Sequence, residues 1–333
     1  MLYRLPAITI ILLAALLTAL MPSPSSLARV SFSMIASGAR FAETDSETNP
    51  GTTALGSSPQ PDALPIDVAT GGASGLVVAP TEAVQAQVTV FLPLIARPLP
   101  LLPDDWLGRV NGYRARAGVP PVTADATLND NCFQHARYMA ENNDLTHNQN
   151  PSLPYASPAG QICAQKGNVW MGWGSAWQPR DAIDGWMGSV GHRLWLLYPT
   201  TPTFGFGFYR QSQRSAAALD VLSRARFGDD ARYPGWPVRY PAPDQQDVPA
   251  TRYPITLQWP YFDQKPVVTG TSLRALPGTD LEHTATTDLP VNHKGIVITP
   301  NQAFPPNATI EVTVTGSYKG QAFSFTWQFR TGD

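Results

Sequence analysis

The apolar residues change their spacing once along the chain, and this change limits the possible folds more than any other feature. Between residues 103 and 198 they recur at helical intervals, with Trp106, Val110 and Tyr113 on one face of a first predicted helix. Toward the C terminus short runs such as 310–314 instead alternate apolar with polar residues, as strands do. Because the two patterns occupy separate stretches, we predict an α+β chain in which a mixed region precedes a small all-β sandwich.

The mixed region is predicted to hold three helices and one pair of strands. The first helix is expected to end at Gly118, the second to span 126–143, and the third to run without interruption from 179 to 197. A strand is predicted at 204–209, where glycines alternate with aromatic residues, and 216–222 is its predicted partner.

The N-terminal stretch is predicted to lie outside both folded regions. Residues 1–28 have the layout of a signal peptide, with Arg4 before an apolar run over 7–21. A membrane anchor is the alternative, although the run is shorter than the ~20 apolar residues that a span requires. Residues 29–100, rich in small and polar residues, are predicted to be a disordered stalk, apart from a β-prone segment at 88–95. We therefore expect a secreted, extracellular or cell-envelope protein whose mature chain has no transmembrane anchor.

Composition sets the remaining boundaries. Residues 101–230 form the predicted mixed domain, and 231–252, rich in Pro, Asp and Arg, are predicted to be a linker. Residues 253–333 are predicted to form an Ig-like β-sandwich, without a catalytic constellation and with a spacer or adhesion role.

The charge balance argues against one class of partner. The formal net charge is -2, and 14% of residues are charged. Because no basic excess is present to neutralise phosphates, we predict that the chain does not bind nucleic acid.

The chain has two cysteines, Cys132 and Cys163. An even number in an exported chain favours one disulfide, and two buried thiols are the alternative. A disulfide closing a loop of about 30 residues would stabilise the fold by roughly 3–4 kcal/mol.

Five segments of the mixed region resemble motifs of one known superfamily. Segment 110–122 reads VNGYRARAGVPPV, 145–147 reads LTH, 186–193 reads WMGSVGHR and 204–207 reads FGFG; the helix between the first two carries Leu128, His135 and Met139. In this order they resemble the bacterial form of the CAP superfamily of SCP-like proteins. This superfamily includes cysteine-rich secretory and pathogenesis-related proteins. The resemblance covers under half of the chain and implies an α-β-α sandwich around a central antiparallel sheet.

The resemblance also implies a cleft with two histidines and two acids that can bind a divalent metal. His147 and His192 match the histidine positions, but Gln161 and Ser189 stand where acidic residues are common in the family. Two imidazoles and one amide would hold zinc weakly, unless an acid such as Asp144 or Asp184 completes the site. The alternative is a cleft in which both histidines form hydrogen bonds with Gln161 and Ser189, so no cofactor is certain.

Two further features near this cleft have more than one interpretation. Ser189 and His192 are three residues apart on one predicted helix, which suggests a Ser/His hydrolase, although a serine within a helix lacks oxyanion donors. The segment 170–177 is rich in glycine and tryptophan, so Trp170 and Trp173 are predicted either to form a flat binding wall or to cap the core beneath.

The predicted function is non-enzymatic binding of a ligand in this cleft. The ligand would be an apolar or amphipathic molecule or a peptide, so lipid, glycan and peptide partners are all considered. The alternatives are a metal-assisted hydrolase that uses the two histidines, and a structural or adhesion protein of the cell surface. A shared fold does not decide among these functions.

Overall fold

A computed structural model describes residues 101–174 and 176–333, together with the backbone of a short strand at Ser31–Ser33. Apart from that strand, the predicted signal peptide, stalk and β-prone segment lie outside the described residues. No helix within the described residues is long and apolar enough to cross a membrane.

The first half of the described chain, here the α/β region, combines helices with one mixed sheet. Its helices are α1 Trp106–Arg116, α2 Ala126–Asn142, α3 Pro158–Lys166, α4 Pro179–Gly188 and α5 Val190–Leu196. Its strands are β1 Ser31–Ser33, β2 Thr123–Ala124, β3 Gly167–Trp173, β4 Thr203–Gln211 and β5 Arg214–Asp220, in the order β1-β3-β5-β4-β2. The pairs are antiparallel except for β2 with β4. The α+β class and the two predicted partner strands are confirmed.

Local signals explain where the first two helices begin and end. The carboxylate of Asp105 accepts a hydrogen bond from Gly108 N (2.7 Å), and Asp125 caps α2 in the same way. Gly118, with φ of +69°, provides the left-handed turn after α1. The predictions for these two helices are confirmed.

The prediction of one uninterrupted third helix is wrong, because the chain breaks at Ser189. This residue has extended backbone (φ -112°, ψ 129°) between α4 and α5. In a continuous helix the Met187 carbonyl would accept the amide of residue 191. Here it accepts Arg193 Nε (2.7 Å) and Tyr253 Oη (3.0 Å) instead. Two side chains thus replace the lost helical hydrogen bond, and the Met187 carbonyl is not orphaned.

The strand β4 allows α2 to approach the sheet closely. A Cβ atom on Gly207 would lie 2.0 Å from Phe133 N, and one on Gly205 would lie 2.2 Å from Leu128 Cβ. Only glycine therefore permits this backbone contact. The Cys132–Cys163 disulfide joins α2 to α3, with 5.1 Å between the Cα atoms. The predicted disulfide is confirmed.

The rest of the chain, here the C-terminal β region, contains two four-stranded sheets among the described residues. The first has the order β10-β11-β7-β6 and the second β13-β12-β8-β9. The strands are β6 Val238–Tyr240, β7 Ile255–Gln258, β8 Val267–Ala275, β9 Thr279–Asp280, β10 His283–Thr286, β11 Gly295–Pro300, β12 Thr309–Tyr318 and β13 Gln321–Arg330. Alternate residues Ile310, Val312 and Val314 of β12 are buried, as the sequence predicted.

The segment predicted as a linker, 231–252, contains structure that belongs to the sheets. Its β6 pairs with β7, and the ring of Tyr240 is buried. The end of a 3₁₀ helix, Phe227–Arg232, also falls within this segment.

The two regions share one core and are tied together by buried hydrogen bonds. Gln258 Nε2 donates to the Leu194 carbonyl (3.0 Å), and Arg193 Nη1 donates to the Pro254 carbonyl. Buried apolar residues of both regions belong to a single cluster. The two regions therefore pack as one body, in which α5 contacts the C-terminal β region.

Candidate functional site

His147 lies in the loop after α2 and is oriented by α3. Its Nδ1 is 2.8 Å from the Ala164 carbonyl. Because a carbonyl only accepts, Nδ1 carries the proton and Nε2 holds the free lone pair. Nε2 is buried and has no hydrogen-bond partner among the described residues. His147 is therefore held in one tautomer with its acceptor nitrogen uncommitted.

Gln161 organises the loop beside His147. Its Oε1 accepts the Gln149 backbone N–H (2.6 Å), and its Nε2 donates to Asn148 Oδ1 (3.3 Å). The amide oxygen is thus engaged by backbone, and the described contacts do not pair it with either histidine. Gln161 acts here as a loop support.

His135, which the sequence analysis placed on the helix between two family motifs but not among the site residues, is a part of this site. It is fully buried, its Nε2 donates to the Thr146 carbonyl (2.9 Å), and its Nδ1 accepts from Gln149 Nε2 (3.1 Å). Burial, opposed by the hydrogen bond to the Thr146 carbonyl and reinforced by nearby His147, lowers the pKa of His135 to about 4. A neutral His135 therefore holds the loop closed. His135 lies two helical turns after Leu128 and therefore on the same face of α2. This spacing could have identified His135 as a buried residue.

Ser189 and His192 form a second pair. Ser189 Oγ lies 2.7 Å from His192 Nδ1, and His192 is 1% exposed. Ser189 occupies the position that normally caps a helix, yet its side chain makes no cap hydrogen bond to α5. The hydroxyl is directed to the imidazole instead, as the spacing predicted, although from a break between two helices.

His147 and His192 each form a hydrogen bond with the junction of α3 and β3. Ala164 near the end of α3 holds the ring of His147, and Asn168 in β3 donates to the backbone carbonyl of His192 (3.2 Å). The positions matched by the family motifs thus converge on one short stretch of chain. The sequence predicted neither α3 nor β3.

The donors around this junction do not fit a zinc site. Within the described residues, no group of three or more His, Cys, Asp or Glu side chains could hold a metal ion. Asp184, considered as a possible ligand, forms an ion pair with Arg109 (2.5 Å) and accepts from Tyr113 Oη (2.8 Å).

The predicted aromatic wall is mostly core. Trp170 is 1% exposed within β3, and its ring packs edge-on against Trp177 at 5.3 Å between centroids. Trp177 Nε1 donates to the Trp173 carbonyl (3.0 Å), which closes the turn. Trp173 keeps 37% exposure and can therefore still contact a ligand.

A cavity of about 470 Å³ opens beside Gln161. It is lined by Gln149, Pro151, Ala156, Ser157, Pro158 and Gln161. Its volume lies within the ~300–1,000 Å³ that is usual for small-molecule sites. Leu153, Tyr155 and Ile162, large apolar residues of the same segment, are exposed.

Comparison with known proteins agrees with the motifs. Residues 107–221 match the model of the CAP family, described as the cysteine-rich secretory protein family. An outer surface protein from Borrelia burgdorferi is similar at 18% identity over 34% of this chain and 85% of that chain, with a TM-score of 0.26. No curated protein sequence matches the chain. Residues 107–221 of this chain are a CAP domain of the cysteine-rich secretory protein family.

Proposed function

We propose that the CAP domain is a non-enzymatic binding domain for an apolar or amphipathic ligand. The observation that carries the proposal is the cavity beside Gln161, which is large enough for a small molecule and has apolar Pro151, Ala156 and Pro158 in its walls. His147, whose Nδ1 is held by the Ala164 carbonyl, lies in the loop that Gln161 supports and is not among the residues that line the cavity.

The polar groups in the cavity wall already have partners. Gln149 Oε1 accepts from Ser157 N (2.7 Å), and Ser157 Oγ donates to Gln134 Oε1 (2.7 Å). Both the oxygen and the nitrogen of the Gln161 side-chain amide form hydrogen bonds with the loop. A strongly polar ligand would gain few new hydrogen bonds, whereas an apolar chain would displace water from the remaining walls.

Exposed apolar side chains extend the same surface. Leu153 is 39% exposed and Ile162 is 48% exposed, on the two segments that bound the cavity. Exposed apolar residues grouped at a cavity are typical of binding surfaces. An alkyl chain or the apolar side chains of a peptide would cover them.

The confirmed disulfide supports a location outside the cytoplasm. Disulfides persist in oxidising compartments and are rare in reducing ones. We infer that the chain acts after export, at the cell envelope or beyond, where lipids, glycans and peptides are all available. The Ig-like type of the C-terminal β region and its adhesion role stay predictions.

The test uses the full chain and an environment-sensitive fluorescent fatty acid. We expect saturable binding that a Leu153→Ser/Ile162→Ser double variant weakens at least about fivefold, because each exposed apolar side chain contributes roughly 1 kcal/mol when covered. Val267→Ser, an exposed apolar residue on β8, is the matched control and should bind like the original chain. Equal affinity in the double variant would refute the proposal.

A hydrolase is the second candidate, because Ser189 Oγ lies 2.7 Å from His192 Nδ1. In this arrangement His192 would accept the serine proton as the hydroxyl attacks an ester carbonyl. The test is release of nitrophenol from short acyl esters by the full chain and by Ser189→Ala. Hydrolysis lost in the variant would favour the enzyme, whereas equal rates in both proteins would exclude a serine nucleophile.

A further inference from the structure

A second cavity, of about 330 Å³, lies where the α/β region meets the C-terminal β region. Three segments converge on it: the 3₁₀ helix Phe227–Arg232 with the loop that follows, the loop after β7, and the end of β12. None of its lining residues belongs to the histidine junction or to the cavity beside Gln161. It is therefore a separate site.

Four aromatic side chains surround this cavity in two perpendicular pairs. The rings of Phe227 and Phe262 are 5.0 Å apart at 89°, and those of Tyr233 and Trp236 are 5.4 Å apart at 86°. Perpendicular rings form adjoining walls, as in an aromatic cage. Phe262 is 65% exposed, so this wall is open to an incoming ligand.

A buried acidic residue, Asp230, lines the cavity beside these rings. Asp230 is 6% exposed, and its oxygens accept from Thr200 Oγ1 (2.7 Å) and from the hydroxyl of Tyr198. Burial raises the pKa of Asp230, and the nearby charges of Asp229 and Asp263 raise it further. Asp230 forms no ion pair with the described residues, so its negative charge has no cation there.

The other charged groups of the cavity neutralise each other. Asp263 is paired with Lys319, whose ammonium also lies 5.5 Å from the centre of the Tyr318 ring. The β12 side of the cavity is therefore already occupied by a cation over an aromatic ring. The opposite side keeps four rings and the unpaired charge of Asp230.

We propose that this cavity binds an alkylammonium cation between the rings of Phe227, Tyr233, Trp236 and Phe262, with Asp230 as its counter-ion. Aromatic faces attract a cation through their quadrupole, and desolvation strengthens this attraction. A buried, unpaired carboxylate adds a charge attraction that a neutral ligand would not receive. The cation could come from a free quaternary amine or from a methylated lysine side chain of a peptide.

The test is calorimetric titration of the full chain with choline, with Nα-acetyl-trimethyllysine amide, and with 3,3-dimethylbutan-1-ol. The alcohol has the shape of choline without its charge. We expect at least one of the two cations to bind. The neutral alcohol should bind with an affinity at least about tenfold lower, because it lacks the cation–π and charge attractions. The cation that binds more tightly identifies the source.

Two variants and one control locate the binding. Phe262→Ala should weaken cation binding about tenfold without affecting folding, because the side chain is exposed. Asp230→Asn should reduce the preference for choline over the alcohol, with circular dichroism to verify the fold. Phe133→Ala, an exposed aromatic on α2, should change nothing. Equal binding of choline and the alcohol, or no binding of either cation, would overturn the proposal.

Discussion

The ring of His293 should make the protein sensitive to mild acid. His293 is completely buried between Trp195 and Tyr261, at 4.2 Å and 5.2 Å between ring centroids. Neither of its ring nitrogens has a hydrogen-bond partner within the described residues. Burial, with a smaller contribution from the charge of Lys294, lowers the pKa of His293 from 6.5 to about 3.

The sign and size of the effect follow from proton linkage. Because the folded pKa of His293 is depressed, the unfolded chain binds the proton first, and stability is lost as the pH falls from 6.5 toward 3. Between pH 7 and pH 5 the loss is about 2 kcal/mol. His135, with a folded pKa of about 4, adds a similar loss. Together they amount to about 4 kcal/mol, against a total stability of ~5–15 kcal/mol for typical domains.

The assay is urea unfolding at pH 7, 6 and 5, followed by tryptophan fluorescence. His293→Phe should halve the loss of unfolding free energy between pH 7 and pH 5. It should also stabilise the protein at pH 7 by about 1–3 kcal/mol, because no unsatisfied ring nitrogens remain buried. Trp195→Phe, a change in the same cluster without a titrating group, should keep the original pH dependence. An unchanged pH dependence in His293→Phe would refute the reasoning.

Three further predictions concern the packing that positions the site. Replacing Cys132 and Cys163 by Ala should lower the unfolding free energy by roughly 3–4 kcal/mol, measured by urea unfolding and matched by reduction of the original chain. Gly207→Ala should lower the unfolding free energy by about 3 kcal/mol or more, because the added Cβ would overlap the backbone of α2. A calorimetric melting temperature within a few degrees of the original would contradict this. Arg193→Leu should cost about 2–4 kcal/mol, because it leaves the Pro254 carbonyl without its side-chain donor and the Met187 carbonyl with Tyr253 alone, and an unchanged urea midpoint would contradict it.

The elements predicted correctly are those with local signals. The helices α1 and α2 have capping aspartates at their starts, and Gly118 marks the end of the first. The strand β12 has one buried face, so its sequence alternates visibly. These features depend on neighbours in sequence, which a pattern can show.

The elements missed depend on contacts distant in sequence. Six of the seven residues of β3 are buried, so the strand shows no alternation and its glycines suggested a loop. The break at Ser189 depends on Tyr253, 64 residues away, which supplies a donor to the Met187 carbonyl. The motifs identified His147 and His192, but the Gln149 network around His135 exists only once the loop after α2 has closed.

The burial of Arg193 limits how freely the CAP domain can be exchanged between proteins. Its guanidinium stacks on the rings of Tyr240 and Tyr253, both from outside the residues that match the family model. A fragment cut at the family boundary would expose this cation and the apolar face of α5 to water. Any recombination that transplants the CAP domain would therefore have to carry the β6–β7 hairpin with it.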